Sequence, residues 1–345
     1  MSDEPLITHL YTADPSAHVF QGRIYLYPSH DRETTISAND NGDQYDMADY
    51  HVFSLASPAS PVTDHGVALA LEDVPWAERQ LWAPDAAKRD GTYYLYFPAR
   101  DAQGVFRIGV AVSPVPEGPF TADPEPILGS YSIDPCCFVD DDGLAYLYFG
   151  GLWGGQLQCW EAGRFDPSGT ESSGAAPALR PRVARLAGDM RSFDGEILPV
   201  SILDSEGLPL RADDHERRFF EAAWVHKRDG LYYFSYSTGD THYLVYATSD
   251  NPLGPFTYRG RILEPVIGWT THHSIVEFRG KWYLFYHDAS LSGRGNGLFA
   301  EGDSAVARKD HPLHYSSWCF QSWDDSVIII GLFPLRVIGI AARAA

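Results

Sequence analysis

The sequence predicts an all-β protein, a five-bladed β-propeller, and three observations carry that expectation. An aromatic strand led by glycine recurs five times, at Gly22, Gly91, Gly143, Gly230 and Gly280. A polar residue precedes each glycine at a similar offset: Asp14 by 8, Asp85 by 6, Asp134 by 9, Glu221 by 9 and His272 by 8. The spacing averages about 64 residues per unit, a several-stranded repeat lengthened by loops. Five units of this kind form a ring of small sheets. Equivalent positions on the first strands then converge on one channel mouth.

The first unit opens with Ala13-Asp14-Pro15 and continues into Gly22–Tyr27. Proline has no N–H and biases the residue before it toward an extended backbone, which makes Asp14 a defined position. Residues 28–50 read as a polar loop. His30 sits within it, equally a loop hydrogen bond or a substrate contact. The second unit opens with Trp82-Ala83-Pro84-Asp85, where Trp82 reads equally as core or as a sugar platform. Gly118-Pro119-Phe120-Thr121 returns as Gly254-Pro255-Phe256-Thr257, which supports duplication of the unit.

The third unit opens with Ile133-Asp134-Pro135 and repeats the Asp-Pro pair. Asp140-Asp141-Asp142-Gly143 reads as a solvated hairpin turn. Gly150–Gly155 is a glycine-rich bend carrying Trp153, without the spacing or following helix of a phosphate loop. Residues 166–216 suggest an outer strand and a long excursion. The fourth unit opens with Phe219-Phe220-Glu221-Ala222-Ala223-Trp224. An acid among apolar neighbours is costly to bury unless it is paired, protonated or used. The fifth opens near His272 and His273. Residues 1–300 are thus expected to be one propeller domain, and 301–345 an atypical tail that completes the fifth blade or stands apart from it.

The net charge is −20 and no basic patch appears, which disfavours nucleic acid and anionic membranes. The four cysteines have neither disulfide-framework nor metal-ligand spacing. The N-terminus lacks the basic and apolar regions of a secretory signal. The longest apolar run, 327–342, contains Pro334 and Arg336 and falls short of the roughly 20 residues of a membrane helix. A soluble cytoplasmic protein is expected. Aromatic residues make up 14% of the chain, which suits a sheet-rich fold or a carbohydrate binder.

Ala13-Asp14-Pro15, Trp82-Ala83-Pro84-Asp85, Ile133-Asp134-Pro135 and Phe220-Glu221-Ala222 together resemble family 43 of the glycoside hydrolases, in the branch with β-xylosidase and α-L-arabinofuranosidase activity. The resemblance spans about residues 5–290. It implies Asp14 as general base, Glu221 as general acid and Asp134 as the residue that tunes and orients the acid. His272 matches a position beside a hydrated calcium ion, with His273 the second choice. Trp82, Asp85, Trp153 and His30 are candidate substrate contacts. The substrates implied are xylo-oligosaccharides or arabinose-substituted oligosaccharides, cleaved from one end with inversion. Two other readings stand beside it: an endo-arabinanase and a non-catalytic sugar-binding propeller. After Ser292 the chain departs from the family pattern, where an arginine-bearing strand is expected.

Overall fold

The five repeat glycines adopt φ between +74° and +82°, a left-handed turn conformation that side-chain-bearing residues resist. Each therefore reverses the chain between the first and second strands of a sheet. In this computed structural model the described residues are 5–37, 39–266, 272–289 and 291, with the backbone of 317–323.

The first sheet runs in order through β1 (Thr12–Phe20), β2 (Arg23–His30), β3 (Asp49–Leu55) and β4 (Thr63–Ala70). The second does the same with β5 (Asp85–Arg89), β6 (Thr92–Arg100), β7 (Phe106–Ser113) and β8 (Thr121–Ala122). The third combines β9 (Cys136–Val139) and β10 (Ala145–Phe149) with β13 (Arg182–Leu186) and β14 (Leu198–Pro199). A small ribbon, β11 (Trp160–Glu161) and β12 (Arg164–Phe165), interrupts it. In the fourth, β16 (Glu221–Arg228), β17 (Leu231–Ser237), β18 (Leu244–Ser249) and β19 (Phe256–Leu263) are antiparallel. The strand β15 (Ile202–Leu203) adds to β19 in parallel. The last sheet joins β20 (His273–Phe278), β21 (Lys281–Asp288) and β22 (Ser317–Trp323). The tail thus supplies a strand to this sheet, antiparallel to β21.

The architecture is all-β and propeller-like. The first strands touch in a cycle: β1 with β5, β5 with β9, β9 with β16, β16 with β20, and β20 with β1. Apolar side chains seal the junctions. Ile24 and Phe53 of the first sheet share a buried cluster with Phe278 and Phe285 of the last. Both Gly-Pro-Phe-Thr copies carry a cis Gly–Pro bond, as their matching sequences suggest.

Two expectations need correction. Asp14 is not extended: its φ is +52°, and the β1–β2 register shifts between Ala13 and Ser16. A bulge, rather than regular strand geometry, aims this side chain. Asp140 is not a solvated turn residue. It is buried, accepts Lys227 Nζ at 2.7 Å and also accepts the Tyr232 hydroxyl, tying the third sheet to the fourth. The Gly293–Gly297 run and the apolar stretch 327–342 lie outside the described residues.

Candidate active site

Three carboxylates from three sheets meet near the heads of the first strands. Asp134, just before β9, has φ +55°, and Ala222, just after Glu221 on β16, has φ +61°. With Asp14 this makes three left-handed turns at comparable places in three sheets. Non-glycine residues in this region carry strain and collect at functional sites.

The Ser29 hydroxyl on β2 donates to Oδ2 of Asp14 at 2.5 Å. The Asp14 N–H donates to Nδ1 of His287 on β21 at 2.9 Å, so the last sheet helps fix the first. Asp14 keeps 17% side-chain exposure and is the more open of the two aspartates. Asp134 is almost fully enclosed, and its Oδ2 accepts the Ala222 N–H at 2.8 Å. Burial pushes the Asp134 carboxyl well above the usual carboxylate range, and the negative charges of Glu221 and Asp14 add to this. The Ala222 N–H opposes the shift by favouring the anion. A cluster of this kind retains a proton at pH values where isolated carboxylates have lost theirs.

Glu221 begins β16 opposite Ser237 and is half-buried. The glycine bend passes beside it. A Cβ on Gly151 would fall 2.5 Å from Cδ1 of Ile133 and 3.3 Å from Cβ of Glu221, so only glycine allows this approach. The bend is pinned by Ser132, whose hydroxyl donates to the Gly155 carbonyl at 2.7 Å and accepts the Gly151 N–H at 3.0 Å.

His272 stands between the two aspartates, its Nδ1 3.7 Å from Asp14 Oδ1 and 3.9 Å from Asp134 Oδ2. Burial lowers its pKa to about 4, despite the pull of Asp14 in the other direction. It is therefore a neutral imidazole near neutrality. As a cation ligand it offers one nitrogen beside two carboxylate oxygens. A hard cation such as calcium takes six to eight oxygens, so water would supply most of the shell here.

The remaining expected site residues divide. Trp82 forms part of a wall: its indole N–H donates to the Tyr45 carbonyl at 2.8 Å and its ring packs on Phe106. Trp153 meets Phe220 edge-to-face at 5.0 Å, beside the acid's strand. Asp85 is only 1% exposed, and both its oxygens are occupied. Ser16 and His18 reach Oδ1 at 2.6 and 2.7 Å, and the Cys137 N–H reaches Oδ2. It ties three sheets together and has no free face for a sugar. His30 points away from the acids, to Asp49 at 2.6 Å. Alternation along β2 gives the acid side to Ser29 instead. His273 is fully buried against Ser235 at 2.6 Å, a core residue rather than a ligand at the mouth.

Ser29, His287 and Tyr45 escaped the sequence reading. Burial raises the pKa of the Tyr45 phenol, and the charges of Asp31, Glu221 and Asp14 add to this. Only the period-two alternation along β2 could have exposed Ser29.

The model of glycosyl hydrolases family 43 matches residues 5–308. A xylosidase/arabinosidase of Humicola insolens is 71% identical over 297 residues, covering 84% of this chain and 91% of that protein. A xylosidase/arabinosidase of Bacteroides ovatus is 58% identical over 279 residues, covering 81% and 86%. Among solved structures, a β-xylosidase/α-arabinofuranosidase from a compost microbial metagenome is 59% identical with a TM-score of 0.85. That match covers 92% of this chain and 93% of the other, which was solved with xylotriose in a calcium-free form. The family match over residues 5–308, with 71% identity to a relative across 84% of this chain, shows that the chain belongs to glycosyl hydrolase family 43.

Proposed function

We propose that this chain is an exo-acting, inverting glycosidase that releases xylose, arabinose or both from hemicellulose oligosaccharides. The observation that carries the reading is the convergence of Asp14, Asp134 and Glu221 from three sheets, with burial holding a proton in the cluster. Relatives bearing xylosidase and arabinosidase names, and a family structure from Xanthomonas citri complexed with xylotriose, support the substrate class.

Inverting hydrolysis needs a base to activate water and an acid to protonate the leaving oxygen on the other side of the anomeric carbon. Asp14 suits the base: it is open enough to meet water, and Ser29 and His287 fix its position. Glu221 suits the acid, since it is half-buried and can reach the leaving oxygen, whereas Asp134 is enclosed. Asp14 takes a proton from water as the water oxygen bonds to the anomeric carbon. The glycosidic bond breaks, and its electron pair leaves with the oxygen that Glu221 protonates. The Ala222 N–H favours the Asp134 anion, so the proton that the cluster retains is the one Glu221 donates, and the Asp134 charge holds it there. His272 would hold a calcium ion with water completing the shell. Bound there, calcium supplies positive charge that favours the ionised aspartates.

The loop between β2 and β3 supports exo action. Asn41 reaches the Arg100 guanidinium at 2.6 Å, and the same guanidinium reaches the Gly154 carbonyl at 3.3 Å. The first-sheet loop is thus closed onto the third-sheet bend, which walls the pocket where an endo-acting enzyme needs an open groove. We also read the sheet of β20, β21 and β22 as a fifth blade, which makes residues 1–300 with part of the tail one domain. Rates on chromogenic xyloside, chromogenic arabinofuranoside and linear arabinan test the proposal. Turnover of the two small glycosides with little action on arabinan is expected. Preferential cutting of arabinan would indicate the endo enzyme, and no turnover a binding module.

A further inference from the structure

A second cluster lies on the first sheet and takes no part in this chemistry. Asp49 and His51 are two residues apart on β3 and so share one face. His30, at the end of β2, joins them. Nδ1 of His30 lies 2.6 Å, and Nε2 of His51 3.9 Å, from the same oxygen, Oδ1 of Asp49. A donor atom from each of the three lies within 4.8 Å of the other two. The imidazoles meet edge-to-face at 5.3 Å.

A supporting layer orients this set. Oδ1 of Asp64 is 3.1 Å from Nδ1 of His51, and its other oxygen is 2.8 Å from Nε2 of His9. Gly66 N–H also donates to Asp64 at 2.8 Å. With the His51 proton on Nδ1 and donated to Asp64, the Nε2 lone pair faces Asp49. Metal-binding histidines are held in this way, with the distal nitrogen bonded to a carboxylate that fixes tautomer and ring. A lone pair facing a carboxylate oxygen is unfavourable unless a proton or a cation lies between them. All three side chains keep solvent access, at 18%, 26% and 15% exposure, so an ion can enter.

We propose that His30, Asp49 and His51 bind a first-row divalent cation. Two imidazoles and one carboxylate, with water in the fourth position, suit zinc best. Binding releases the proton that His30 shares with Asp49, since both groups must present lone pairs to the metal. The ion sits at the base of the loop between β2 and β3, with His30 just before it and Asp49 just after. That loop carries Tyr45 and Asn41, which meet Trp82 and Arg100 in the pocket wall. The ion therefore clips the two ends of a pocket-forming loop, and its role is support rather than catalysis.

Cobalt(II) is the probe, titrated into the full chain after chelation. Four-coordinate cobalt gives visible d–d bands that report binding apart from activity. The wild type is expected to bind one equivalent with these bands and to lose them when zinc is added. His51→Gln and Asp49→Asn should abolish them. Asp64→Asn should keep them but weaken affinity about 10–100-fold. His272→Ala should behave as wild type, because that residue belongs to the other site. Circular dichroism confirms that each variant is folded, and if Asp49→Asn is not, His51→Gln decides. Absence of bands in the wild type, or equal bands in folded His51→Gln, overturns the site. Loss in His272→Ala with retention in His51→Gln places the ion near the acids instead and also overturns it.

Discussion

The N–H of Ala222 donates to Oδ2 of Asp134 at 2.8 Å, joining residues 88 positions apart. The amide that follows Glu221 is therefore held by the carboxylate proposed to tune it. Asp134→Asn keeps an oxygen for this hydrogen bond but removes the negative charge. The apparent pKa of the acid should fall without that charge, so the basic limb of the kcat/KM profile should move to lower pH. Turnover at neutral pH should drop by about 10²-fold or more. An unshifted profile would mean that Asp134 serves the fold alone.

Glu221→Ala removes the proposed proton donor. The loss should be roughly 10²–10⁴-fold on xylobiose, whose leaving group needs protonation. An activated aryl xyloside should lose much less. Equal losses on both substrates would count against Glu221 as the acid.

Metal at the acid cluster is tested by chelation. Exhaustive chelation of the wild type should lower activity, and calcium should restore it. His272→Ala should no longer respond to either treatment. Full activity in the chelated wild type, with no effect of added calcium, would remove the ion from the mechanism.

Stability should depend on pH through His226. Burial lowers its pKa to about 3, with Arg228 contributing, while the unfolded chain titrates near 6.5. Between these values the unfolded state holds a proton that the native state lacks. Stability is therefore full above about pH 6.5 and falls as the pH drops toward 3. At pH 5 the loss from this residue is on the order of 2 kcal/mol. His30 acts in the opposite direction, since its bond to Asp49 raises its pKa. Urea denaturation of wild type and His226→Gln at pH 7 and pH 5 isolates the effect. The variant should lose less stability between the two, and parallel losses would refute the assignment.

Much of this was legible in the repeat. A polar residue 6 to 9 positions before each turn glycine marks the head of a first strand, so Asp14, Asp134, Glu221 and His272 stand out together in the sequence. The facing of side chains beside them was not legible. The Ala13–Ser16 bulge redirects Asp14, and Pro15 suggested the opposite backbone. Ser29 rather than His30 reaches Asp14 because adjacent residues on β2 face opposite sides. Asp85 holds the corresponding place in the second unit, but Ser16, His18 and Cys137 consume its oxygens, and no spacing rule reveals such partners. Arg100 was not singled out in the sequence, yet its side chain joins loops from two other sheets.

The most direct test of the opposed base and acid is the configuration of the first product. Proton NMR during the opening minutes of xylobiose hydrolysis resolves the anomers before they equilibrate. If Asp14 delivers water from the face opposite the bond that Glu221 protonates, the sugar released from the non-reducing end appears first as α-xylose. β-Xylose as the first product would contradict the account and recast Asp14 as a nucleophile.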